Sequence, residues 1–271
     1  MLARLPAAAL VVPVGSLLVV TSLAVRSGVP MSEAALCLAI AAALAWQLRH
    51  VTAQTEPSPW PRRRLALAAG GLAFGFLAGS WLVVAVGWMH LARSSVTRHF
   101  DEPVRRRLRP WWPVLVMAVP WVWADAWWLG WQMRMASATV ATVLLTPALP
   151  NLAQQGTTLL IDGVRVDVAA SCAGLGLLQA LLTLGLAAAA RLTGSAAKTV
   201  AAVPFIVLIA TAANIVRVVL LTLVAVGLGP EVASRTLHDV IGYGVLALLA
   251  WCGWTLFDRA SQPPSRLEVA T

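Results

Sequence analysis

TVAAVPFIVLIATAANIVRVVLLTLVAVGL, residues 199–228, decides the fold: an apolar run entered after Lys198 that holds a single charge, Arg217. A helix rises about 1.5 Å per residue and the hydrocarbon core of a bilayer is about 30 Å thick, so a run of this length crosses a membrane. Arg217 lies eighteen residues beyond Thr199, roughly 27 Å of helix, near the far edge of the core. Two neighbouring segments are marked the same way. Segment 172–190 opens on Cys172 and closes at Arg191, and segment 239–257 opens just after His238 and closes at Asp258-Arg259. If the three alternate in direction, Cys172, Arg217 and His238 reach one depth near one face of the bilayer.

Composition agrees. Of 271 residues, 59% are hydrophobic and 11% charged, and the Leu, Ala and Val runs exceed what a soluble core of this size needs. The expected fold is an all-α polytopic integral membrane protein. It would have about seven or eight transmembrane helices and a small extracytoplasmic β-hairpin near 157–168. There, TTLLIDGVRVDV sets Asp162-Gly163 as a turn between two β-branched arms. The net charge of +9 is arginine-dominated and lies in loops, which makes it a topology signal toward the lipid bilayer and not a nucleic-acid footprint.

Upstream, the run at 6–25 reads as a retained first helix, although a secretory signal would share its pattern, and 31–48 as a second span. A Pro-rich basic stretch (50–64) precedes a third run at 65–92. The arginine-rich loop 92–109 follows, then a tryptophan-loaded segment (110–131) broken by Pro113 and Pro120, then 132–150 with Arg134. Loops 92–109 and 191–198 should be cytoplasmic by the positive-inside rule, leaving Cys172, Arg217 and His238 extracytoplasmic. The stretch at 62–64 conflicts unless 65–92 is re-entrant or crosses twice, or unless its three arginines are tolerated outside.

Cys172 sits in DVAASCAGLG, where a hairpin gives way to a helix. A helix N-terminus favours anions, so it would lower the thiol pKa and could hold an oxyanion, with Gly174 letting backbone approach closely. An inert buried thiol is the alternative. Cys37 and Cys252 lie in apolar segments, where a small buried hydrophobe is the natural reading. Arg217 is expensive in a span unless it faces a cavity or partner, or snorkels to the headgroups. Asn214 shares its helical face in N-x-x-R. His238 could take the thiol proton and return one to a leaving amine. The other histidines, His50, His90 and His99, lie in or beside basic loops, where solvated or headgroup-facing roles suit them.

The order S-C-A-G (171–174), N-x-x-R (214–217) and H-x-x-x-G (238–242) resembles the exosortase/archaeosortase family. Similar too are the WP…P pattern at 112–120, the helix 132–146 ending in LL, and the hairpin before the cysteine. The resemblance covers roughly 105–257, a catalytic membrane core, between generic helices at 1–104 and a cytoplasmic tail at 258–271. Ala173 departs from it, since members commonly carry Ser after the cysteine; the nucleophile is intact but the subfamily stays open. The resemblance implies a sortase-like cysteine protease and transpeptidase in the inner membrane. Cys172 would attack a carbonyl, Arg217 would steady the oxyanion and His238 would protonate the amine, with Asn214, Gly174 and Ala173 in support. Its substrates would be exported proteins with a C-terminal signal of the PEP-CTERM kind: a short motif, a transmembrane helix and a basic cluster.

Two other classes remain open at this point. A plain intramembrane cysteine hydrolase would use the same thiol; GxSxG, HExxH and paired intramembrane carboxylates are missing, which removes serine, zinc and aspartyl versions. A transporter or assembly factor would use Arg217 to bind an anion, but inverted repeats are not visible. No metal or organic cofactor is indicated.

Overall fold

The computed structural model describes residues 17–18, 20–22, 58–117, 119–125, 127–168, 174–233 and 237–261. Cys172, Ala173, Cys37 and His50 lie outside the described residues. The chain divides into two compact units, Met1–Trp128 with Ala189–Val203 and Leu129–Ala188 with Pro204–Thr271.

In the first unit, the run expected at 65–92 is not one crossing. It is a helical hairpin, α1 (Arg62–Ala78) and α2 (Trp81–His99), turning at Gly79-Ser80. The backbones touch: a Cβ on Gly87 would stand 2.7 Å from the amide nitrogen of Leu72, and one on Gly75 2.7 Å from that of Val84. Without lipid-excluding force between helices, close packing of small residues is what joins them. Of the glycine-rich stretch 70–79, Gly71 and Gly75 are therefore occupied by α2 of the same chain. The hairpin also returns Arg62–Arg64 to the basic end of α2, where Ser58 N–H donates to the Arg98 carbonyl at 2.9 Å and Arg64 Nη1 to Thr97 Oγ1 at 2.6 Å. Both basic stretches thus share one end, and the conflict in the arginine count disappears.

Asp125 secures the turn. Its carboxylate accepts from Trp81 N–H at 2.9 Å, Leu82 N–H at 2.6 Å and Ser80 Oγ at 3.1 Å. These are the amides that the start of any helix leaves without partners, and an anion is favoured there. Gly87→Leu should split this hairpin, because the obstruction is backbone that cannot rotate away, at a cost of about 1–3 kcal/mol or more. Gly70, with nothing within 4 Å of its Cβ position, supplies the control. Thermal midpoints of Gly87→Leu and Gly70→Leu in detergent check this, and equal midpoints would refute the contact.

The rest of this unit is short pieces: α3 (Glu102–Leu108), a 3-10 turn (Arg109–Trp111), α4 (Trp112–Val116) and α5 (Trp121–Asp125). The expected segment 110–131 is thus interrupted, near Pro120, which cannot donate to a helical ladder. The next helix, α6 (Trp127–Leu145), runs unbroken through the boundary expected at 131–132. Elsewhere His99 corrects the expectation of a solvated ring: it is buried, with Nδ1 2.9 Å from the Ser95 carbonyl. Its own helix satisfies it.

The second unit is built on a sheet, not a lone hairpin. Strands β1 (Ala153–Gln155), β2 (Thr158–Ile161) and β3 (Val164–Asp167) form an antiparallel meander. The turn at Asp162-Gly163 has φ of 47° and 84°, the doubly left-handed geometry of a two-residue hairpin. Period-two alternation puts Leu159 and Ile161 of β2 inward. There they join Ala138, Ala141 and Leu145 of α6, and Val218 and Leu221 of a long helix.

That helix is α9 (Val203–Leu228), which follows α7 (Leu175–Thr193) and the short α8 (Ala196–Ala201) of the first unit. After α10 (Pro230–Val232), α11 runs from His238 to Ser261. Among the described residues, two helical stretches, Leu175–Thr193 and Ala196–Leu228, are long and apolar enough to cross a membrane. Leu208 is 66% exposed, and Phe205, Leu248 and Trp251 are comparably bare. Such outward apolar faces suit hydrocarbon. Cys252, expected to be buried, is exposed on the same kind of face: an apolar residue of a membrane helix is as well placed against lipid as against protein.

Candidate active site

The buried stripe of α9 includes Ile206, Ala210, Ala213, Asn214, Arg217, Val218 and Leu221, a three-and-four spacing that keeps one face inward. Its polar members are Asn214 and Arg217, one turn apart, and Thr222, whose hydroxyl donates to the Val218 carbonyl of its own helix at 2.8 Å.

Arg217 meets His238 at the start of α11. Its Nη2 lies 3.1 Å from Nε2, 3.3 Å from Nδ1 and 3.4 Å from the His238 carbonyl oxygen. A guanidinium only donates, so the imidazole nitrogen it bonds must present its lone pair; only one of the two ring nitrogens can do so. One turn further along α11, a Cβ on Gly242 would stand 3.1 Å from Arg217 Cζ, Nε and Nη2. The H-x-x-x-G spacing thus has a physical meaning. Residues four apart share a helical face, where His238 supplies the partner and Gly242 the room. Arg217 Nε makes no hydrogen bond among the described residues.

Asn214 sits beneath the start of α7. Gly174 has φ of 78° and its carbonyl accepts from Leu178 N–H at 2.8 Å, so it caps that helix. A Cβ there would lie 2.7 Å from Asn214 Cγ. Gly174 is therefore required twice, by its left-handed backbone and by contact. Asn214, fully buried, donates from Nδ2 to Ser137 Oγ of α6 at 3.0 Å.

Of the residues expected at the site, the structure brings Gly174, Asn214, Arg217 and His238 together; Cys172 and Ala173 fall in the segment 169–173, outside the described residues. Sequence reasoning missed Ser137, which braces Asn214 from α6, and did not give Gly242 its role. The available signal for Ser137 was weak, a serine among the other polar residues of its helix, Gln132, Arg134, Thr139 and Thr142. Gln179, fully buried on α7, was another polar side chain passed over. Among the described residues, no three His, Cys, Asp or Glu side chains gather as metal ligands.

A model of the transmembrane exosortase family matches residues 27–255. The chain belongs to that family. No curated protein and no solved structure matches it. Exosortases are generally cysteine transpeptidases that act on exported proteins in a membrane environment. In this exosortase, two of the three short motifs, N-x-x-R and H-x-x-x-G, interlock through the contact of Arg217 with His238 and Gly242.

Proposed function

We propose that the chain is a sortase-like cysteine protease and transpeptidase of the inner membrane, with Cys172 as nucleophile. The observation that carries this reading is Arg217: a guanidinium held on His238 and Gly242 whose Nε donor is unspent among the described residues. A donor kept in place but not consumed by the fold suits a charge that appears only during reaction. Cys172 is two residues before Gly174. Two extended residues span at most about 7 Å, which limits how far the nucleophile's backbone can be from Gly174.

In the reaction, the lone-pair nitrogen of His238 releases Arg217 and takes the Cys172 thiol proton, and the thiolate attacks a backbone carbonyl near the C-terminus of an exported substrate. Arg217 stabilises the tetrahedral oxyanion. Collapse breaks the C–N bond, His238 gives its proton to the departing amine, and a thioester on Cys172 remains. An amine acceptor, or water, then takes the acyl group and restores the thiol. The substrate's own transmembrane helix lies beside the catalytic core, 105–257, with its scissile bond at the extracytoplasmic surface and its basic cluster across the membrane. About seven or eight spans would complete the fold. The test is to co-express a substrate of this construction and search by intact mass for a hydroxylamine-labile adduct on Cys172. Processing with no adduct on that residue, under conditions that slow the second step, would remove the thioester route.

A further inference from the structure

The first unit holds a second polar site that the transpeptidase reading does not use. A cleft of about 450 Å³ opens between α1, α2 and the α3–α4 stretch. Five arginines line it, Arg64, Arg93, Arg105, Arg106 and Arg109, against one carboxylate, Glu102. That carboxylate is already committed. It pairs with Arg105 Nη2 and with Arg106 Nε, both at 3.1 Å, and the Arg106 hydrogen bond holds it below the usual carboxylate range.

Arg64, Arg93 and Arg109 have no carboxylate within ion-pair reach among the described residues. They are nonetheless positioned: Arg64 by Thr97, and Arg93 by stacking 5.8 Å from the ring centroid of Trp112. Arginines that only mark topology need not converge, and converging like charges repel. A cavity that keeps them together is shaped for an anion that arrives from outside.

We propose that this cleft binds a phosphoryl group, delivered by the headgroup of an anionic phospholipid. Guanidinium forks match phosphate oxygens in pairs, which lysines or a diffuse surface charge would not do. Trp112, walling the cleft beside Arg93, is the residue type found at headgroup level. Free phosphate presents the same chemistry, so the experiment separates the two sources.

The full-length protein in uncharged detergent is titrated with short-chain phosphatidylglycerol, with short-chain phosphatidylcholine and with inorganic phosphate, reading the thermal midpoint. A saturable rise with phosphatidylglycerol, absent with phosphatidylcholine, is expected. A rise with phosphate and none with the lipid would keep the site and change its source to the free ion. Arg93→Gln and Arg109→Gln each weaken binding about tenfold, the loss of a charge-assisted pair, whereas exposed Arg165 on β3, changed to Gln, has no effect.

Glu102 provides the sharper arm because its side chain is 56% exposed, so Glu102→Gln leaves the fold intact. Freeing Arg105 and Arg106 should tighten binding about threefold, the scale of a surface ion pair. Equal responses to both lipids with none to phosphate would overturn the proposal. So would a Glu102→Gln variant that binds no better, or an Arg165→Gln variant that loses as much as Arg109→Gln.

Discussion

Cys172→Ala is expected to abolish processing of a co-expressed substrate while leaving the protein in the membrane at wild-type abundance. The substitution removes one sulfur atom and adds nothing, so it introduces no clash. Chemistry changes completely, because no thioester can form. Loss of a nucleophile costs on the order of 10⁴-fold or more in turnover, which in a cellular assay is background. Cys172→Ser should be nearly as inactive, since a hydroxyl is far less ionised near neutral pH than a thiol. The measurement is the fraction of substrate shifted in size, normalised to the abundance of each variant. Processing by Cys172→Ala at the wild-type rate would end the cysteine mechanism and return the chain to the anion-binding or assembly class.

Arg217→Lys is expected to lower kcat by about 10²–10³-fold, the usual consequence of removing an oxyanion donor, with a much smaller change in KM. Lysine keeps the charge, so the cost of a cation at this depth is unaltered. It loses the planar fork that reaches His238 through Nη2 while Nε stays without a partner among the described residues. A purely structural arginine would behave differently: the Arg217→Lys variant would then retain kcat, and any loss would follow abundance.

Gly242→Ala gives a second reading of the same contact. Its Cβ would press on the guanidinium at 3.1 Å, close enough that Arg217 must give way by a few tenths of an ångström. Displacement of that order in a positioned group should lower kcat about tenfold. Gly244→Ala, with nothing within 4 Å, is the matched control on the same helix. If Gly242→Ala and Gly244→Ala have equal activity, the seating of Arg217 on α11 has no catalytic consequence.

Much of this architecture is legible in the sequence. Residue counts along apolar runs set Arg217 and His238 at matching depths, since helix rise is constant. The Asp162-Gly163 turn was readable because its backbone needs φ values that few residues tolerate. Other features depended on pairing. The 65–92 run is apolar from end to end, so hydropathy could not show that Gly79-Ser80 turns the chain. That turn is held by Asp125, more than forty residues away, and by glycines meeting glycines across two helices. His99 looked solvated because its neighbours in sequence are charged, yet it is buried against its own helix.

The site divides the same way. Sequence by itself determined the membrane class, the polar residues worth suspecting, and the common depth of Arg217 and His238, because these follow from chain length, side-chain chemistry and solvation cost. Only the tertiary structure decided that Arg217 rests on His238 and Gly242, that Gly174 closes over Asn214, and that Ser137 braces it from α6. Those contacts join residues up to 77 positions apart, and which side chains meet at such separations depends on how helices pack, which local periodicity does not encode.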